Sequence, residues 1–205
     1  MISISREYQK LRKSDFSVSM EEVKQPLSVF LYWCIPAILS VYFVKWLDGK
    51  GPANYLQTAI EQGVGPILWN TLACFGLILM SFSFAFPRNQ LLSDAASTLL
   101  KNVYAIGCLS FGLLLGQFLT LIPEIHGQIE VWRFWILVPL SGYLLFVIFV
   151  LNFVVWYLSY LVGWGSRYNL KLRQLNWVVR SFVSFSFAGI VFLLLWIEQD
   201  SQLVP

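Results

Sequence analysis

Apolar residues along this chain gather into long uninterrupted runs instead of alternating with polar ones at a two-residue or 3.6-residue period. A helix with no polar face must be surrounded by apolar material on all sides, either a large protein core or lipid. Each run is about 20 residues long, which is the helix length that crosses a hydrocarbon core of roughly 30 Å. The first covers residues 26–47 and contains Pro36. The second, 66–86, is stopped by Pro87 and Arg88, and the third, 103–122, by Pro123. The fourth, 134–162, is longer and ends where Gly163, Gly165 and Arg167 open a loop; its length implies tilt or protrusion from the membrane. The fifth, 177–197, reaches full length only when Trp177, Val178 and Val179 are counted. The pattern predicts an all-α polytopic helical membrane bundle of about five transmembrane helices. A four-helix alternative leaves the last segment re-entrant or packed at the interface.

What remains is a tail over 1–25, short loops and a short C-terminal tail over 198–205. The loop between the first two runs contains a candidate short helix, opened by Pro52 and closed by Gly63. The loop over 87–102 offers Ser93 or Asp94 as a cap for a turn leading into the third run. The N-terminal tail lacks an early apolar core and a small-residue cleavage pattern, so it is expected to stay on the mature protein.

Composition agrees with the pattern: 12% of the residues are charged, against roughly 25% in an ordinary soluble domain. So little charge would not keep the chain soluble, and no independent soluble domain fits beside the spans. Basic residues set orientation, because they are retained on the cytoplasmic side. Arg6, Lys10, Arg12, Lys13 and Lys24 in the tail, Arg88 and Lys101 after the second run, and Arg167, Lys171, Arg173 and Arg180 after the fourth all fall on one side of a five-span chain. The other side receives Lys45, Lys50 and Arg133. The expected topology is N-terminus in the cytoplasm and C-terminus outside, in the inner (plasma) membrane of a bacterium. Most tryptophans lie near run ends, as amphipathic rings at the headgroup level do.

No ionisable residue lies near the middle of a run, where proton relays, voltage sensors and ion-coupled carriers keep theirs. The polar interior reduces to Asn70, Gln117 and Asn152 with scattered Ser and Thr. Amides in lipid must find partners, so these three are expected to form a polar core between helices or, if a solute path exists, to line it. The third run places Cys108, Gly112 and Gly116 on one helical face beside Gln117. Its Gly112-Leu-Leu-Leu-Gly116 stretch allows close backbone approach by a helix of the same chain or of another copy.

Enzyme chemistry finds few residues to use. Cys34, Cys74 and Cys108 sit in apolar runs without metal-ligand spacing. The single histidine, His126, has Glu124 and Glu130 nearby, enough for at most a weak site, and one histidine does not supply paired haem ligands. No Ser-His-Asp set, intramembrane aspartate pair or HExxH is present. The chain is therefore expected to be non-enzymatic, with no cofactor and no metal. A formal net charge of +3 is too small to argue for direct nucleic acid binding.

The basic set Arg6, Lys10, Arg12, Lys13, Arg167, Lys171, Arg173 and Arg180 is suited to anionic headgroups or to a cytoplasmic protein partner. Glu7, Asp15, Glu21 and Glu22 add mixed charge to that face. In size and layout the chain resembles the small multi-span membrane components of bacterial anti-phage systems such as Kiwa, and the small immunity proteins that block pore-forming toxins. No residue pattern carries the resemblance, and five spans depart from the four of the Kiwa component. It implies a membrane subunit that senses, anchors or protects, as a homo-oligomer with a cytoplasmic protein partner. The alternative is a small homo-oligomeric channel or pore.

Overall fold

The computed structural model describes residues 16–47 and 65–202, with side chains described except at 65–68, 190 and 192–202. Arg6, Lys10, Arg12 and Lys13 and the expected short helix after Pro52 lie outside the described residues, as does the end of the C-terminal tail. Every described element is a helix: α1 Met20–Trp46, α2 Gly65–Ala85, α3 Gln90–Ile125, α4 Val131–Val162, α5 Arg167–Leu172 and α6 Trp177–Gln202.

Helices α1 to α4 begin earlier than their apolar runs because polar sequence can extend a helix that is already nucleated. Six residues precede Pro26 in α1, with Glu21 and Glu22 in its first turn and Lys45 in its last, charges that suit the two ends of the helix dipole. The largest departure is in α3. The sequence predicts a loop over 87–102, yet the helix starts at Gln90 and runs for 36 residues. Its cap is neither Ser93 nor Asp94 but Asn89, whose side-chain oxygen accepts the Leu92 amide hydrogen at 3.3 Å. Ser93 instead faces inward, on a buried stripe with Ala96, Ser97, Leu100 and Val103. That spacing is helical, but the small polar members hide it from a search for apolar runs. At the other end Pro123 does not stop the helix, which continues to Ile125; a proline in a final turn removes only one ladder bond.

The chain divides into two compact units. The first contains Asn70–Val103 and the chain from Trp156 onward, together with the residues before Met20; the second contains Met20–Trp69 and Tyr104–Val155. In the second unit α1 runs parallel to α3, with Cys34 and Ala37 against Gly112 and Ile38 and Val41 against Gly116. Phe30, Phe111, Phe149 and Phe153 fill the seam with α4, ring centroids 4.8–5.9 Å apart. In the first unit Met80, Ala96, Leu100, Val162 and Leu172 are buried, and Ser81 of α2 exchanges hydrogen bonds with Ser184 of α6: each hydroxyl donates to the other's carbonyl, at 2.6 and 2.7 Å.

Among the described residues, α1, α3 and α4 are each long and apolar enough to cross a membrane, and α2 supplies a shorter apolar helix over Trp69–Ala85. In α4 only 6% of the most apolar window is buried inside the protein. Trp135, Ile136, Leu140, Tyr143 and Phe146 are exposed along it, an apolar surface that water does not support and lipid does. The chain is a helical membrane protein.

Candidate functional site

The best-built polar site lies in the first unit, at the connection from α4 to α6. Gly163 to Gly165 end α4, and Ser166, extended at φ −67° and ψ 145°, starts α5 by accepting the Asn169 amide hydrogen at 3.0 Å. The same hydroxyl donates back to the Leu161 carbonyl at 2.6 Å, so one serine closes one helix and opens the next. Asn169 is thereby turned inward, where its Nδ2 donates to Ser93 Oγ at 3.1 Å and to the Val162 carbonyl at 3.2 Å. Ser93 in turn pairs with Ser83 at 2.8 Å, joining α2, α3 and α5.

Arg173 completes this latch. Its Nε donates to the Pro87 carbonyl and to Asn169 Oδ1, both at 3.0 Å, and a terminal nitrogen donates to the Trp164 carbonyl at 3.0 Å. Its guanidinium carbon lies 3.5 Å from the Trp164 ring centroid. A planar fork that bonds along its edges and stacks on its face is a geometry lysine does not reproduce. Sequence reasoning grouped Arg173 with the outward basic set; the structure turns it inward, because three acceptors, two of them backbone carbonyls, converge on it.

Two further groups bear on the same surface. Arg167 is exposed and Lys171 half-buried on α5, while Arg180 has a buried Nε without a hydrogen-bond partner. Phe16, where the described chain begins, is held twice: its carbonyl accepts from the Tyr157 hydroxyl at 2.8 Å, and its ring lies 5.2 Å from that of Tyr168. Tyr168 also meets Phe84 edge-on at 5.6 Å. Phe16 is therefore held against α4 and α5, the latter carrying Asn169 of the latch. Nothing in the sequence singled out Phe16, because one aromatic in a polar tail carries no periodic signal.

The second unit holds the packing and polar-core residues. Gly112 and Gly116 face α1 of the same chain. A Cβ at Gly112 would stand 2.6 Å from the Cys34 carbonyl oxygen, and one at Gly116 3.0 Å from Val41 Cβ. This face is used within the chain. Cys108 is buried and accepts from Asn152 Nδ2 at 3.1 Å, and the same Nδ2 reaches the Tyr104 carbonyl at 3.3 Å. Gln117 is half-buried on α3, and its carbonyl accepts from the Thr120 hydroxyl. Asn70 falls in the first unit and Asn152 in the second. Beside Pro36, α1 and α3 border an apolar groove of about 710 Å³ lined by Tyr32, Trp33, Leu109 and Leu113 among others.

The loop carboxylates turn to cations, not to His126. Lys45 bonds Glu124 at 2.6 Å and the Thr120 carbonyl at 2.7 Å, tying the ends of α1 and α3, while Glu130 pairs with Arg133 and Trp132. His126 is exposed and lies edge-on to Phe134. Comparison with protein-family models, with curated proteins and with solved structures finds no match.

Proposed function

We propose that this chain is a non-enzymatic membrane subunit that holds a cytoplasmic protein partner on a platform formed by the α4–α6 connection and the segment leading into α1. The observation that carries this reading is the seat of Phe16 on Tyr157 and Tyr168. It holds Phe16 against Tyr168 of α5, the helix that also carries Arg167 and Lys171, and in this proposal the basic, mixed-charge tail that precedes Phe16 in sequence binds the same partner. The latch beneath supports the reading further. A connection held by side chain to backbone bonds loses little conformational freedom when a partner docks, which favours binding. The platform faces the cytoplasm in this proposal, following the distribution of Lys and Arg. Phage defence or immunity to a pore-forming toxin is the setting that the resemblance in layout suggests.

The test is purification of the tagged full-length chain from its native host in mild detergent, with mass spectrometry and subunit counting. A soluble partner at fixed stoichiometry, lost in the double charge reversal Arg167→Glu/Lys171→Glu while the bundle stays folded, supports the reading. A homo-oligomer without partner that conducts ions in liposomes replaces it with the channel.

A further inference from the structure

Trp69 of α2, Gly107 of α3 and Asn152 of α4 meet inside the second unit, and the meeting leaves two complementary atoms unused. Asn152 is 3% exposed. Its Oδ1 and the Trp69 Nε1 are both cut off from solvent, and neither has a hydrogen-bond partner. One is an acceptor without a donor, the other a donor without an acceptor. Leaving either unpaired away from water costs free energy, and buried polar groups are rarely left so.

Gly107 is what brings them together. A Cβ there would overlap Asn152 Oδ1 and stand 3.0 Å from Trp69 Nε1, so both atoms lie within 3.0 Å of one point. They do not bond each other, yet a single oxygen beside them reaches both. The amide orientation is decided by its other half. Nδ2 faces the Tyr104 carbonyl, which only accepts, and Cys108 Sγ; a flip would set two acceptors against each other. Oδ1 must therefore point toward Gly107 and the indole.

These constraints define the occupant by its chemistry. It must accept from an indole N–H and donate to an amide carbonyl, so a cation and an anion each fail at one end. It must also be small, because no side chain fits at Gly107. We propose that Trp69, Gly107 and Asn152 form a buried site for one water molecule that links α2 to α4 across α3. Such waters belong to the fold and replace a direct side-chain bond between helices.

The experiment uses the full chain, with tryptophan labelled by nitrogen-15, in phosphatidylcholine nanodiscs. A through-space NMR cross-peak between water and the Trp69 indole proton is expected, assigned by its loss in Trp69→Phe. It should also vanish in Asn152→Leu and persist in Gln117→Leu. Absence of the cross-peak in the unaltered chain overturns the site and needs no variant to fold; a direct Trp69–Asn152 bond would give that result. Persistence of the peak in Asn152→Leu overturns it as well. A thermal cycle adds an independent reading. The double variant Trp69→Phe/Asn152→Leu should melt at the temperature of Asn152→Leu alone, whereas fully additive shifts count against a shared occupant.

Discussion

The two units are cohesive for opposite reasons. In the second, helices close by removing side chains: Gly112 and Gly116 let α1 approach α3 until backbone atoms touch, and phenyl rings fill the remaining seam. In the first, short polar side chains and one arginine bond irregular backbone: Ser83, Ser93, Ser166 and Asn169 pass hydrogen bonds along, and Arg173 binds the carbonyls that Pro87 and Trp164 leave free. The contrast follows from what each must hold. Two regular helices pair nearly all their backbone groups internally and associate mainly by fit. A connection that breaks a helix and begins another exposes several, and only side-chain donors satisfy them where water is excluded.

The strongest way to break the contrast is to overfill the fitted seam. Gly112→Leu drives a branched side chain into the Cys34 carbonyl and is expected to abolish folding, read as loss of monodisperse protein in detergent, while Leu114→Ala on the exposed side behaves as the unaltered chain. Equal effects would remove the seam from the account. Next comes Arg173→Leu, which strips the donor from three acceptors and is expected to cost about 2–3 kcal/mol. It should open the 163–176 connection to protease before the rest of the bundle, and Arg173→Lys should restore little because an ammonium cannot serve the fork and the Trp164 face together. Gly116→Ala is milder, since its nearest neighbour is the Val41 side chain; a loss of about 1–2 kcal/mol in thermal or denaturant unfolding is expected. Ser81→Ala should cost least, roughly 0.6 kcal/mol, because Ser184 still donates to the Ser81 carbonyl. A Ser81→Ala effect larger than that of Arg173→Leu would reverse the order of importance within the polar unit.

The same contrast explains what could be read from the chain alone. Apolar runs marked the helices, since a bilayer demands length and uniformity, and Gly112 and Gly116 stood out because missing side chains are visible as letters. Asn152 was visible as an amide in a place that must pair it. The latch was not legible. Arg173 finds its partners among carbonyls of Pro87 and Trp164, groups every residue possesses, so no pattern announces them. The N-terminal third of α3 escaped for a related reason: three of its buried positions are Ser93, Ala96 and Ser97, residues that read as loop until the serines are seen bonding Ser83 and the Ser159 carbonyl.

The Tyr157 hydroxyl and the Phe16 carbonyl are separated by 141 positions along the chain. At typical rates of roughly 5–20 residues per second, a ribosome needs on the order of 7–30 s to travel that far. Throughout that interval Phe16 has no seat. Helices α1 to α3 are therefore made before the partners of Phe16 exist, and Phe16 is captured only when Tyr157 and Tyr168 have been made. The order of synthesis thus makes the seat of Phe16 one of the last features of the protein to exist.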